Sequence, residues 1–138
     1  MSWQDYITNL VDGKTCEDAA IVGFVGTPCV WASHPGGAIG HITPPQVQTI
    51  LSDDRTVVLI NGVHIGLLKC SVIRDQLNVQ DVYVMDVKTK NPDGPTYNVA
   101  VGKTNTALVI AKGAEGVHGG AIHTKVCDMC KYLRGLNI

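Results

Sequence analysis

The sequence is short of aromatic residues: 138 positions hold only seven, Trp3, Tyr6, Phe24, Trp31, Tyr83, Tyr97 and Tyr132. It also lacks an excess of either charge. Eleven Lys and Arg face 12 Asp and Glu, a formal net charge of −1. That balance argues against nonspecific nucleic-acid binding and against a membrane anchor made mainly of basic residues. No apolar run approaches the roughly 20 residues of a bilayer span, and no basic segment followed by a long apolar one marks a secretory leader. The five cysteines, Cys16, Cys29, Cys70, Cys127 and Cys130, are odd in number, and the chain is not small. A disulfide framework is therefore not expected, and a reducing, cytosolic home fits. Repeats, linkers and low-complexity segments are missing. So are Gly-x-Ser-x-Gly, His-Glu-x-x-His and the other mechanistic signatures of catalysis. The carboxylates are scattered, with no motif pairing two for acid–base work, and no enzyme activity or cofactor is expected.

What is present suits one globular domain over residues 1–138. Apolar content is 45% and charge 17%, enough for a real core and too apolar for a disordered chain. Two of the seven aromatics, Trp3 and Tyr6, fall within six residues of the N-terminus. Termini usually fray, whereas large aromatics are used where they bury area in a core or an interface. This terminus is therefore docked, or it displays a binding surface.

Local signals predict the elements. Residues 2–11 read as a helix, with Ser2 and Asp5 as a capping box and Trp3, Tyr6, Ile7, Leu10 and Val11 on one stripe. AAIVGFV (19–25) and CVWAS (29–33) read as strands joined by Gly26-Thr27-Pro28. A second helix follows Thr43, with Pro44 at its first position and Gln46 completing another capping box, and ends near Ser52-Asp53. TVVLI (56–60) reads as a strand, and Asn61-Gly62 as a hairpin turn. VHIGLL, KCSVIR, DVYVMDV, TYNVAV (96–101) and TALVIA (106–111) read as further strands. A helix from about 120 to 134 closes the chain, with Ile122, Val126, Met129 and Leu133 on one face. Short turns imply antiparallel neighbours, so the expected architecture is α+β, an antiparallel sheet sandwiched by helices.

Several motifs carry candidate chemistry. KGAEGVHGG lacks the ending of a phosphate loop and reads as a strand-to-helix connection with several glycines at positive φ, which leaves Val117-His118 on a loop unexplained. Cys127-x-x-Cys130 with His123 offers at most three metal ligands on one helix, against the usual four on separate elements. Small buried hydrophobes are the better reading of those cysteines. Lys69, Arg74, Lys88 and Lys90 fall in the middle strands. Lys69, Ser71 and Ile73 alternate onto one face, either a solvated sheet or part of an interface. On a regular strand Trp31 shares its facing with Cys29 and Ser33, opposite Val30 and Ala32. Tyr132 sits on the flank of the last helix, about 100° from the centre of its apolar stripe. If the terminal helices lie side by side, Trp3, Tyr6, Trp31 and Tyr132 converge. They then belong to the core or form an aromatic groove for a polyproline II ligand, with indole N–H and phenol O–H groups bonding its carbonyls.

The stretches SWQDYITNL, DAAIVGF, CVWAS, ITPPQV, NGVHIG, KCSVIRD, MDVKTK, TYNVAVG, EGVHGG and MCKYLR together resemble profilin, of the animal and vertebrate-like kind, along essentially the whole chain. The resemblance implies a central antiparallel sheet, with the N- and C-terminal helices packed together on one face and a further helix on the other. It implies a cytoplasmic, cytoskeleton-associated protein. This protein would bind monomeric actin, recognise proline-rich segments of actin nucleators and elongation factors, and respond weakly to phosphoinositides. The polyproline groove is matched by Trp3, Tyr6, Trp31, Tyr132 and Leu133, with Ile138 where vertebrate members usually end in an aromatic. The actin face is matched by Ile60, Lys69, Ser71, Ile73, Arg74, Lys88, Lys90, Thr96, Asn98, Val117, His118 and Gly120. At its edge His123, Thr124 and Asp128 replace the usual Asn, Lys and Glu, and Val82 replaces an acidic residue. Lys69, Lys88, Lys90, Lys125 and Arg134 are the phosphoinositide candidates. The alternative is an adaptor of the same fold that keeps the proline groove with weak or no actin binding.

Overall fold

Helix boundaries follow the predicted caps. The computed structural model describes residues 2–138, and α1 (Trp3–Leu10) starts at the expected capping box: Ser2 Oγ accepts from Asp5 N at 3.3 Å and Asp5 Oδ2 from Ser2 N at 3.0 Å. The pattern repeats at α2 (Pro44–Ile50), where Thr43 and Gln46 cap each other and Pro44 occupies the first position. Between them run β1 (Cys16–Gly23), β2 (Cys29–Ser33) and a 3-10 turn (Ile39–His41). After α2 come α3 (Arg55–Asn61), β3 (Val63–Ile65), β4 (Leu68–Gln76), β5 (Val84–Thr89), β6 (Asn98–Lys103), β7 (Ala107–Gly113) and α4 (Gly119–Gly135). The strands form one antiparallel sheet in the order β2-β1-β7-β6-β5-β4-β3.

Residue alternation along the strands divides the core in two. Ala19, Ile21, Ala100, Val109 and Ala111 face α1 and α4, where they meet Ile7, Leu10, Ile122, Val126 and Leu133. Ala20, Val22, Val99, Val101 and Ile110 face the other way, onto Val47, Ile50 and Val58 of α2 and α3. The central strands are buried on both faces, hence their continuous apolar runs. Small residues let α4 approach closely: a Cβ at Gly102 would lie 2.4 Å from Cys130 Sγ and 2.6 Å from Val126 Cγ1.

The segment 56–60 is helical, not the predicted strand, and Asn61-Gly62 closes that helix and is not a hairpin. Asp54 caps α3 by accepting from Thr56 N at 3.1 Å. The Arg55 guanidinium pins its start, bonding Asp75 through Nε (2.7 Å) and Nη2 (3.0 Å) and the Ile50 and Ser52 carbonyls through Nη1. Against these contacts the β preference of Val57, Val58 and Ile60 is a small term, a fraction of a kcal/mol per residue. Gly62 takes φ 71°, and a Cβ there would lie 2.2 Å from the Cys70 carbonyl oxygen. The hairpin turn falls at Gly66-Leu67, between β3 and β4. Two helices therefore cover the second face.

Candidate functional site

The N-terminal aromatics belong to a docked helix. Ile7 and Leu10 anchor α1 over β1 and β2, and Gln4 Nε2 donates to the Ser33 carbonyl at 3.3 Å. This holds Trp3 against Trp31, with centroids 4.8 Å apart, and against Tyr6 at 5.2 Å; Tyr6 continues to Tyr132 at 6.3 Å. Four rings from α1, β2 and α4 thus form one platform. Tyr132 is half exposed, at 53%.

Trp31 reaches the platform through a β-bulge. Ala32 pairs with Ile21 and Val30 with Val22, which leaves Trp31 as the extra residue. Trp31 and Ala32 consequently both pack with the α1–α4 cluster, while Val30 joins the opposite one. The expected opposition of Trp31 and Ala32 fails for this reason. Burial raises the Tyr6 phenol above its ordinary pKa, and the neighbouring Tyr132 phenol adds to the shift, so Tyr6 remains a neutral donor. Leu133 is fully buried in the same cluster as the rings. Ile138 is half-buried on the same cluster, its carbonyl accepting from Asn105 N at 2.9 Å.

A second bulge shapes the middle of the sheet. Val72 pairs with Val87 and Arg74 with Asp86, and Ile73 is the extra residue. Arg74 thereby joins Lys69 and Ser71 on the α4 side, and Ser71 lies opposite Lys88, which lies opposite Asn98. Ile60 and Ile73 are exposed at 75% and 63%. Asn98 Nδ2 donates to the Val117 carbonyl at 3.0 Å and fixes the loop that presents His118 beside Thr96 and Lys88. Gly116 alone in that loop has positive φ, fewer glycines than the sequence suggested.

Asp86 was not singled out from the sequence, yet it organises this face. It accepts from Arg74 Nε at 3.2 Å and lies 2.9 and 3.1 Å from His123 Nδ1 through its two oxygens. Arg74, Asp86, Asn98, Gly120 and His123 line a cleft of about 370 Å³. No local signal joins positions 74, 86 and 123; only cross-strand register and the packing of α4 do. Thr124 is exposed, its hydroxyl donating back to the Gly120 carbonyl.

Three candidates lie apart from their predicted partners. Asp128 is about 140° around α4 from His123 but only about 40° from Thr124, at about 100° per residue, and it lines a cleft between α1 and α4 with Tyr6 and Tyr132. Lys125 donates to the Leu10 carbonyl at 3.2 Å and pairs with Asp12 at 3.4 Å. Arg134 donates to the Lys103 carbonyl at 2.8 Å and stacks over Tyr83. Of the five phosphoinositide candidates only Lys69, Lys88 and Lys90 sit together, with Lys90 N donating to the Lys69 carbonyl. Of the Cys127, Cys130 and His123 donors, Cys130 is buried against Gly102 and His123 is held by Asp86. Among the described residues no group of three or more potential ligands could hold a metal.

A profile of the family described as Profilin matches residues 1–138. Profilin-2 of Rattus norvegicus is 47% identical over 133 residues, covering 96% of this chain and 95% of that protein. Profilin-1 of Homo sapiens matches at the same identity and coverage. The structure of mouse profilin IIa in complex with a double repeat from the FH1 domain of mDia1 superposes with a TM-score of 0.95 at 44% identity, over 100% of both chains.

Proposed function

The chain belongs to the profilin family, and from that premise we propose that it binds monomeric actin on one face and proline-rich segments on another, delivering actin to polymerisation machinery. The observation that carries this reading is the contiguous platform of Trp3, Tyr6, Trp31 and Tyr132. A polyproline II helix is stiff and has no internal hydrogen bonds. It loses little entropy on binding, stacks its rings on the aromatic faces and offers carbonyls to the indole and phenol donors. The FH1 repeat bound by the related mouse protein supports the assignment.

The actin-binding reading rests on the bulged β4–β5–β6 face. Exposed Ile73 supplies an apolar centre, Lys69, Lys88, Lys90 and the Asp86-held Arg74 a charged surround, and His123 a polar edge, the composition of an interface core and rim. The two faces flank α4 on different sides, so both ligands can be held at once. Tethering a monomer near a proline-bound elongation machine raises its local concentration. The protein acts by binding and not by catalysis, in the cytoplasm beside the actin it serves. No helix among the described residues is long and apolar enough to cross a membrane. With only three clustered lysines, phosphoinositide attraction is weak, about 1 kcal/mol per basic residue near the surface.

The test is a pair of titrations, one with decaproline followed by tryptophan fluorescence and one with labelled monomeric actin. Each should saturate, and neither should compete with the other. Absence of actin binding with intact proline binding would leave an adaptor.

A further inference from the structure

The aromatic platform does not end at Tyr6 and Tyr132. Both rings open into a cleft of about 400 Å³ between α1 and α4, floored by Leu10 and Met129 and reaching Asp128. Lys125 also lines it, but its ammonium is held by Asp12 and the Leu10 carbonyl, so these two opposite charges neutralise one another. Asp128 is exposed and, among the described residues, has no ion-pair partner within 4.0 Å. Lys131, three residues on, is exposed and makes no such pair either; Asp5, beside Tyr6 on α1, is exposed and adds negative charge. The cleft therefore offers an unmatched carboxylate beside two aromatic rings.

Resting on the proline-groove reading above, we infer that this cleft is a specificity subsite for a Lys or Arg flanking the proline run, with Asp128 as the residue that selects it. Such a side chain lays its apolar stem along Leu10 and Met129 while its charge reaches the carboxylate, and a cation near the tyrosine rings gains further attraction. The spacing agrees. Asp128 precedes Tyr132 by four residues, about 6 Å of rise along α4, and polyproline II advances about 3.1 Å per residue. The basic residue should sit about two positions beyond the ring stacked on Tyr132.

The experiment titrates the whole chain with decaproline, with decaproline carrying two Arg at its N-terminal or its C-terminal end, and with the corresponding Glu peptides. One Arg peptide should bind about three- to fivefold tighter than decaproline at low salt, the range of an exposed ion pair, and the Glu peptides more weakly. In Asp128→Asn the Arg-to-decaproline affinity ratio should fall to about 1, and Asp128→Glu should restore the preference. An Arg advantage that persists in Asp128→Asn, or none at either end in the unmodified protein, overturns the subsite while leaving the groove standing. Failure of decaproline itself to bind overturns the groove and the subsite together.

Discussion

The indole of Trp31 lies directly over the bare Cα of Gly23. A Cβ at Gly23 would come within 2.3 Å of Trp31 Nε1 and 2.4 Å of Cε2. Gly23 does not have positive φ, so close approach and not backbone conformation makes glycine necessary here.

Gly23→Ala should therefore push Trp31 off the platform. We expect a stability loss of about 1–3 kcal/mol, as for an overpacked site, and a larger loss of decaproline affinity than global stability explains. Tryptophan fluorescence and chemical denaturation measure the two effects separately. Trp3→Ala should weaken decaproline binding by at least about 2 kcal/mol, as for a central aromatic anchor. Unchanged affinity in both variants would remove the platform from proline binding.

On the sheet face, His118→Glu should weaken actin binding, because it adds a carboxylate to the Asn98-held loop of the proposed actin face. Thr124→Lys restores a cation at an exposed position near the start of α4. It should tighten binding modestly, by around 1 kcal/mol, mainly through a salt-sensitive on-rate. Decaproline affinity serves as the control; if these changes alter it instead, the two faces are exchanged.

Stability in acid should depend on Asp12. Its carboxylate accepts from the backbone N–H groups of Cys16 (3.0 Å), Lys14 (2.9 Å) and Thr15 (2.7 Å). These bonds hold its pKa far below the ordinary carboxylate value, with the Lys125 ammonium adding to the effect. A depressed folded-state pKa stabilises the fold fully above the unfolded-chain value of about 4. That stabilisation disappears as pH falls from there through the folded value. Asp12→Asn should flatten the acid limb of the stability curve, as read by thermal melts between about pH 5 and pH 2; identical limbs would refute it.

Thiol reactivity should be graded by environment. Burial pushes the Cys130 thiol up to about 12 and Cys70 up to about 11, and it raises Cys16 as well. The thiolate is the reactive form, so these three should resist alkylation near pH 8 until the protein unfolds. Cys29 is exposed and Cys127 half-buried, so mass spectrometry after brief iodoacetamide treatment should find Cys29 labelled first and Cys127 next. Early labelling of Cys130 would mean that α4 opens locally. The expectation that Cys127 and Cys130 serve as small buried hydrophobes holds fully for Cys130 and in part for Cys127, which stays half-buried at the edge of the α4 packing.

Vesicles containing phosphoinositides should bind weakly, and added salt should release the protein, since screening removes the attraction of exposed lysines within about a Debye length. Lys88→Ala and Lys90→Ala should abolish the residual binding. Removing Lys125 should not, because its ammonium already has protein partners.

The residues themselves determined what depends on near neighbours. Both capping boxes, the stripe of α1, the apolar central strands and the facing of Tyr132 follow from contacts within a few positions, and all are present in the structure. Tertiary structure decided what depends on register and crowding. The 56–60 tract became a helix because Asp54 caps it and Arg55 reaches Asp75, 20 positions away. Trp31 and Arg74 face their sites because one extra residue in each strand shifts the alternation. Asp86 came to join Arg74 and His123, and Asp128 came to line the α1–α4 cleft, through the packing of α4. A strand's side-chain period is two and a helix turn is 3.6 residues. A bulge or a docking angle therefore redirects side chains that local pattern alone assigns elsewhere.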